Sequence, residues 1–214
     1  MGVVPIKKWV FRIVHINNLE YILTNGILNR HHLKSDPNYI NIGDNNLIEK
    51  REDYLVGINP PGGSLGEFVP FYFGSLSPML YKIKTGHNGI NKIAQENIIY
   101  LCCEIKNIVT HCSNWCFTNG HAKKAITEFY NDLSGLDELD WQTIMAKFWN
   151  NTEDDFDRMR RKQAEFLVKG FVPIQCVSKI VVLNEEKSEL VQELINRFGL
   201  NINVQVNPNK EFYY

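Results

Sequence analysis

The sequence predicts an α+β fold, because strand-like and helical segments follow one another without the regular βαβ alternation of a parallel sheet. The clearest strand is NIIYLCCEI at residues 97–105. The clearest helix has one apolar face and ends at Gly199. That face is formed by Leu190, Val191, Leu194, Ile195 and Phe198. With 214 residues the chain has the length of one domain, so we expect a single domain over residues 1–214.

The N-terminal part predicts a strand, a short helix and a glycine turn. Residues 9–16, WVFRIVHI, are β-branched and aromatic, which is typical of a buried strand. Asn17 is expected to cap the following helix, with Glu20 as its capping-box partner. Gly26 then supplies the left-handed residue that ends the helix.

The next stretch predicts a long loop followed by a short helix and a second strand. Residues 30–47 are polar and irregular, and loops of this length in a compact domain are often functional. A helix is expected at 47–54, where it carries Arg51. Residues 67–73 are strand-like, but Pro70 favours an edge strand, a bulge or a bend.

The remainder of the chain mixes further helices and strands. Ser77 and Pro78 predict the start of a short helix. Two more helices are expected at 122–130 and 141–149. A short strand is possible at 115–118, and further strands are expected at 164–168, 179–183 and 201–206.

The composition is that of an ordinary globular protein. Hydrophobic residues make up 44% of the chain, and no apolar stretch approaches the 18 residues of a membrane span. The N-terminus lacks the apolar run of a signal peptide, so we expect a cytoplasmic protein. Because 23 basic residues face 24 acidic ones, a polyanion would have to be held by a local patch.

Metal and nucleotide motifs are weak. The five cysteines include no CxxC pair, and only Cys112 and Cys116 approach ligand spacing, so we expect free thiols and no metal. A cysteine nucleophile with a histidine base stays open. The glycines of residues 62–66 precede a strand instead of joining a strand to a helix, which favours a connector over a phosphate-binding loop.

Three other features each allow two interpretations. Glu165 begins an apolar strand and is either solvent-facing or a half-buried acid, and its residue type alone favours exposure. His15 ends the first strand, where a histidine is usually structural. Residues 153–162, EDDFDRMRRK, either match a helix dipole or form a basic patch beside a cleft.

Four motifs taken together resemble the DarT family of DNA ADP-ribosyltransferase toxins. They are VHIxNLxxILxxGIL at residues 14–28, IxKR at 48–51, VPFYFGxxSPMLY at 69–81 and RKQAEFLV at 161–168. The resemblance implies a split, mostly antiparallel sheet with peripheral helices and NAD in a central cleft. It also implies transfer of ADP-ribose to a base in single-stranded DNA, thymidine being the best-known acceptor and guanosine the other.

The resemblance assigns roles to individual residues. Glu165 would stabilise the positive charge that develops on the nicotinamide ribose and would move the acceptor's proton, with Arg51 as its catalytic partner at the pyrophosphate or the reacting ribose. The residues expected to bind NAD are His15, Asn17, Arg51, Tyr72, Ser77 and Met79. Single-stranded DNA requires stacking surfaces and cations. The candidates for that role are His121, Trp149, Arg158, Arg160 and Arg161.

The partners expected from the resemblance are NAD, single-stranded DNA and an ADP-ribosyl hydrolase antitoxin, with the protein itself a monomer. Two alternatives stay open at this point. One keeps the fold but changes the acceptor to RNA or protein, or hydrolyses NAD. The other is a non-enzymatic nucleic-acid-binding module in which residues 158–161 form the working patch.

Overall fold

The computed structural model describes residues 8–214 and contains ten strands and seven α-helices within them. The strands are β1 Trp9–His15, β2 Ile27–Leu28, β3 Phe68–Tyr72, β4 Ile98–Glu104, β5 Trp115–Thr118, β6 Phe129–Tyr130, β7 Glu165–Lys169, β8 Phe171–Val172, β9 Val177–Val182 and β10 Asn203–Val206. The helices are α1 Leu19–Asn25, α2 Asn45–Arg51, α3 Pro78–Thr85, α4 Ile105–His111, α5 Trp141–Met145, α6 Arg158–Lys162 and α7 Glu185–Arg197.

Eight of the strands form one sheet in the order β10-β9-β4-β1-β3-β7-β5-β6, and β2 pairs with β8 in a small ribbon. Every neighbouring pair is antiparallel except β9 with β10. The predicted α+β class with a mostly antiparallel sheet is therefore confirmed. Among the described helices none is long and apolar enough to cross a membrane.

The sheet opens between β1 and β3. β1 pairs with β4 at seven positions, from Trp9 opposite Glu104 to His15 opposite Ile98, but with β3 only where Phe11 faces Tyr72. Pro70 lies in the middle of β3 and has no N–H to donate to a neighbouring strand. The expectation of an edge strand is wrong, because β3 is internal. The proline instead lies where the ladder between β1 and β3 is broken.

Three local predictions differ from the structure because tertiary contacts override local pattern. Asn17 does not cap α1: it lies in a 3₁₀ turn capped by His15, and Asn18 at the start of α1 bonds the backbone of Ile40 instead. Residues 122–130 form turns and the short β6, with Ala122 fully buried.

The third difference is the helix expected over 141–149, which ends at Met145. The carbonyls of Ile144 and Ala146 accept hydrogen bonds from the buried ammonium of Lys162, at 2.6 and 2.7 Å. A cation beside the last carbonyls of a helix stabilises that end, so Lys162 fixes α5 against the segment that leads into β7.

The core beneath β7 is aromatic. Phe166 is fully buried, stacks on Trp115 and Phe117 and meets Phe73 edge-on. These rings hold β7 and β5 in place, and thereby the position of Glu165. The five cysteines are free thiols, four of them buried, and no cluster of three histidine, cysteine or acidic side chains within residues 8–214 could hold a metal.

The long helix α7 offers a direct test of the core. Ile195 is 1% exposed and Leu190 is 44% exposed, although both belong to the predicted apolar face. Ile195→Ala should lower the free energy of unfolding by about 2–5 kcal/mol. Leu190→Ala on the same helix should change it by no more than about 0.5 kcal/mol, because little packing is removed. Urea unfolding of both variants measures the difference, and equal effects would contradict the placement of α7.

Candidate active site

Two oppositely charged side chains meet where α2 ends and β7 begins. The Arg51 guanidinium donates to the Glu165 carboxylate through two parallel bonds, Nη1 to Oε1 at 2.9 Å and Nη2 to Oε2 at 2.7 Å. The two side chains are 14% and 4% exposed. This two-pronged geometry is the strongest form of an arginine–carboxylate pair, and it joins residues 114 positions apart.

Glu165 is held by backbone groups as well. The Ala122 amide donates to Oε1 at 3.0 Å, and the amide of Glu165 itself donates to the Thr118 hydroxyl at 3.1 Å. The exposed position that the residue type favoured is therefore wrong. Burial is tolerable because Arg51 and the Ala122 amide satisfy the carboxylate.

The charges at this site can be assigned. Burial alone would raise the pKa of Glu165, but the charge and hydrogen bonds of Arg51, together with the hydrogen bond from the Ala122 amide, hold its pKa below the ordinary value. Burial works against the charge on Arg51, yet the pKa of this guanidinium is raised, because Glu165 outweighs burial. The pair is therefore ionised at neutral pH.

Tyr72 and His121 flank the carboxylate in their neutral forms. Tyr72 lies opposite Glu165 in the β3–β7 ladder, and burial followed by the nearby carboxylate raises the pKa of its phenol. Burial lowers the pKa of His121, whose Nδ1 accepts a hydrogen bond from the Lys123 amide. The 3.9 Å approach of that Nδ1 to Oε1 of Glu165 is therefore not an ion pair.

A cleft of about 420 Å³ opens beside the pair, at the gap between β1 and β3. Its walls come from the two strands, from the loop and helix at residues 41–52 and from Glu165. Gly66 lines it as well, and a Cβ there would lie 2.8 Å from the Glu52 carbonyl oxygen. The absence of a side chain at Gly66 thus allows the backbone at Glu52, directly after α2, to pack closely against it. This contact helps to position the neighbouring Arg51.

The structure brings some of the predicted NAD-binding residues together and leaves others apart. Arg51, Tyr72 and Met79 line the cleft with Glu165. Three others do not: His15 accepts from the Asn17 amide, Asn17 is exposed, and Ser77 is buried with its hydroxyl capping α3 at the Leu80 amide.

The predicted DNA-binding residues are similarly divided. His121 lies beside Glu165. Arg160 donates two bonds to Asp157 at 2.7 Å each, and Arg161 pairs with Asp140, Asp155 and Asp157. These ion pairs hold the segment before β7 together. Because the acids already neutralise Arg160 and Arg161, little of the arginines' charge is available to a ligand.

Trp149 and Arg158 complete that set. The Trp149 indole donates to the Tyr214 hydroxyl at 2.8 Å and packs edge-on against Tyr81. Arg158 is half-buried and has no acidic partner within 4.0 Å among residues 8–214. Of the three arginines, Arg158 is therefore the one that forms no ion pair with the described residues.

Sequence reasoning missed Arg12 and Ala122. Arg12 lines the cleft from β1 and donates to the Pro70 carbonyl at 2.9 Å. The sequence feature that could have identified Arg12 is that it is a charged residue within an otherwise apolar strand. Ala122 acts through its backbone amide, which no residue type reveals.

Breaking the pair should reverse the pH dependence of stability. In the wild type, Glu165 has a lowered pKa, so its contribution is present above about pH 4.5 and disappears as the pH falls. In Arg51→Met the buried carboxylate lacks its partner and its pKa rises, so stability should fall as the pH rises towards 7. The decrease in the free energy of unfolding at pH 7 should be about 3–5 kcal/mol.

Denaturant unfolding at pH 4 and pH 7 measures this change. The control is Arg51→Met combined with Glu165→Gln, which removes the unpaired charge and should recover part of the stability at pH 7. Equal stability of wild type and Arg51→Met at pH 7 would contradict a buried, satisfied pair.

Comparisons with known proteins agree with the fold and with the predicted family. The family model described as "ssDNA thymidine ADP-ribosyltransferase, DarT" matches residues 11–214. The chain is 35% identical over 211 residues to a DNA ADP-ribosyl transferase of Escherichia coli O127:H6, covering 98% of this chain and 95% of that protein. It superposes on Thermus sp. 2.9 DarT in complex with ADP-ribosylated ssDNA with a TM-score of 0.88 at 30% identity, covering 100% and 99% of the two chains.

A second structure, Thermus sp. 2.9 DarT in complex with NAD+, gives a TM-score of 0.82 at 29% identity and covers 99% of this chain and all of that one. Sequence and structure thus point to the same family over nearly the whole chain. The protein belongs to the DarT family of DNA ADP-ribosyltransferases.

Proposed function

We propose that this protein transfers ADP-ribose from NAD to the thymine base of thymidine in single-stranded DNA. The observation that carries the proposal is the buried, ionised Glu165, which is held by Arg51 and lines the cleft between β1 and β3. A fixed negative charge beside an enclosed cleft suits a reaction whose transition state carries positive charge on a sugar.

The reaction assigns Glu165 two tasks. As the bond between nicotinamide and C1′ of its ribose breaks, nicotinamide leaves with the electron pair and the ribose becomes oxocarbenium-like, which the carboxylate stabilises. Thymine N3 then bonds to C1′, and the N3 proton passes to Glu165 as general base. Oε1 accepts from both Arg51 and the Ala122 amide, whereas Oε2 accepts only from Arg51 and keeps a free lone pair, so Oε2 is the oxygen proposed to take the proton.

On the acceptor side we assign His121 to the base. It is neutral, lies beside Glu165 and follows β5, which pairs with β7. With Nδ1 accepting from the Lys123 amide, its Nε2 carries the proton and can donate to a base carbonyl. Tyr72 stays protonated and is available to pack against or donate to the nicotinamide side of the cleft.

Incubation with NAD and thymidine-containing single-stranded oligonucleotides tests the proposal. Mass spectrometry should find one added ADP-ribose on the strand and none on its duplex, because pairing blocks N3 and extruding a base costs a few kcal/mol. Glu165→Gln should lower kcat by about 100- to 1000-fold with little change in NAD affinity. If guanosine, RNA or protein is modified but thymidine is not, the proposed acceptor is wrong. If Glu165→Gln and the wild type react at equal rates, the proposed catalytic role of Glu165 is wrong.

We further propose that the protein is a monomeric toxin, opposed by an ADP-ribosyl hydrolase antitoxin. A modified thymine N3 cannot pair, so replication would stall at each adduct. Expression in Escherichia coli should arrest growth with the wild type but not with Glu165→Gln, and a co-expressed ADP-ribosyl hydrolase should restore growth. Arrest by both proteins would speak against DNA modification as its cause.

The DNA phosphates are proposed to meet Arg158 and the lysines next to His121. Lys123 and Lys124 follow the Ala122 amide that binds Glu165, and neither has an acidic partner within 4.0 Å among residues 8–214. Replacing both with glutamine should reduce the log–log salt slope of DNA binding by about 0.7 for each phosphate that the protein no longer neutralises.

NAD affinity should stay unchanged in that variant. The matched control replaces Lys92 and Lys106, both exposed and away from the cleft, with glutamine, and makes the same change in net charge. A salt titration of DNA binding distinguishes the two double variants. If the salt slopes of DNA binding are equal for the two double variants, Lys123 and Lys124 do not contact phosphates, and Arg158 is the one proposed phosphate ligand that this experiment leaves in place.

A further inference from the structure

The segment that follows α5 is attached to the rest of the fold at one side chain. Residues 147–150 lie between α5 and α6 and belong to no helix or strand. Among the hydrogen bonds of residues 8–214, the one that this segment makes runs from the Trp149 indole N–H to the Tyr214 hydroxyl, at 2.8 Å. Phe148, directly before Trp149, is 80% exposed. Trp149 is therefore the anchor of a segment that otherwise faces solvent.

The Tyr214 hydroxyl contacts a second segment at the same time. Its oxygen lies 3.1 Å from the carbonyl oxygen of Leu76 and 3.3 Å from that of Ser77. A hydroxyl has one proton to donate and two lone pairs, so it can donate to these carbonyls while it accepts from Trp149. Burial raises the pKa of Tyr214 to about 12, so the proton is present at neutral pH. One atom thus joins residues 147–150 to the turn before α3.

The two joined segments lead to the two sides of the proposed reaction. The turn before α3 is followed by Met79, which lines the cleft in which NAD is proposed to lie. Residues 147–150 continue through α6 to Glu165, which is proposed to act on the acceptor base. The Tyr214 hydroxyl is therefore placed to set the position of the acceptor-side segment relative to the wall of the cleft.

The turn before α3 has other supports, whereas residues 147–150 do not. The Ser77 hydroxyl accepts from the Leu80 amide, and the Tyr100 hydroxyl donates to the Ser75 carbonyl at 2.8 Å. Loss of the Tyr214 hydroxyl should consequently release residues 147–150 and leave the turn in place.

The aromatic ring of Tyr214 is fixed independently of its hydroxyl. Tyr81 packs edge-on against Trp149 and against Tyr214, with ring centroids 5.9 and 5.4 Å apart. Edge-to-face contacts of this kind stabilise both rings. Tyr214→Phe therefore removes the hydrogen bonds and keeps the packing.

We propose that Tyr214 is a positioning residue for the DNA strand. Through Trp149 it holds residues 147–150 beside α3, so that Phe148 and Lys147 are presented to a base and a phosphate of the strand. Lys147 is exposed and forms no ion pair within 4.0 Å among residues 8–214. An aromatic ring next to a cation is the combination that binds single-stranded DNA. Holding the segment before the strand arrives reduces the entropy lost on binding. The inference rests on the proposed function.

Steady-state kinetics with a thymidine-containing oligonucleotide test this role. Tyr214→Phe should raise the KM for the strand about 3- to 10-fold, the range expected for the loss of one hydrogen bond. The Kd of NAD, measured by calorimetry without DNA, should change less than about twofold, because the turn before α3 stays in place. Trp149→Phe removes the same hydrogen bond and should raise the KM equally. The double variant should add little to either single one, since both remove one shared interaction.

Phe148→Ala tests the presented surface itself. Because this ring is exposed, its removal should leave the melting temperature unchanged and raise the KM for the strand by at least as much as Tyr214→Phe does. An unchanged KM in Phe148→Ala would contradict the proposed contact.

Tyr213→Phe is the matched control. The Tyr213 hydroxyl donates to the carbonyls of Ile98 and Val181, at 2.8 and 3.1 Å, and contacts neither of the two joined segments. This variant loses the same group from the neighbouring residue, so its melting temperature should fall to a similar extent while the KM for the strand stays at the wild-type value. An equal rise of that KM in Tyr213→Phe would reduce the effect to general loosening of the fold. An unchanged KM in Tyr214→Phe, or a loss of NAD affinity alone, would show that the hydroxyl does not position the strand; each of these results overturns the inference.

Transfer by the wild type is scored first and separates the two proposals. If the wild type modifies no strand, the proposed function is wrong and the role given to Tyr214 is wrong with it. If the wild type modifies DNA and Tyr214→Phe keeps the wild-type KM, the inference alone is wrong.

Discussion

The buried pair of Arg51 and Glu165 is the interaction on which the site depends. It ties the helix after the long loop to the first residue of an internal strand, 114 positions later. Each member is acceptable in the interior only because the other is present. The same contact keeps the carboxylate ionised, fixes the wall of the cleft and sets the distance between the loop at residues 41–52 and the sheet.

A second set of charges holds the segment that leads into Glu165. Arg161 pairs with Asp140 at the start of α5, while Lys162 binds the carbonyls at the end of that helix. Arg160 joins Asp157 to the side chains of Asn119 and Thr127. The region between β5 and β7 has little regular structure, and these bonds replace the ladder and helix bonds that it lacks. The catalytic role proposed for Glu165 requires such fixed surroundings, because a displacement of about 1 Å is enough to reduce the rate.

The sequence was sufficient for the fold class and for most strands, and its motifs singled out Arg51 and Glu165, which the structure pairs. It was insufficient wherever the deciding partner lies far along the chain. The local pattern around Glu165 favoured an exposed strand residue because Arg51 and Ala122 are invisible to a local pattern. The basic run at 158–161 allowed a free patch because Asp140, which pairs with Arg161, lies 21 residues earlier. The helix expected at 122–130 does not form, because Ala122 is buried with its backbone amide bound to the Glu165 carboxylate.

The pairing of arginines with acids inside the fold is consistent with the net charge of −1. A protein that acts on a polyanion such as DNA would ordinarily benefit from a broad positive surface, which speeds encounter but also favours nonspecific binding. Here several of the arginines near the site are matched by acids inside the fold, so the surface carries little excess charge. Arg12 in the cleft and Arg158 beside the segment before β7 have no acidic partner within 4.0 Å among residues 8–214, and the same holds for Lys123 and Lys124. With no broad positive surface, the phosphates of DNA would have to be held by a few local cations of this kind.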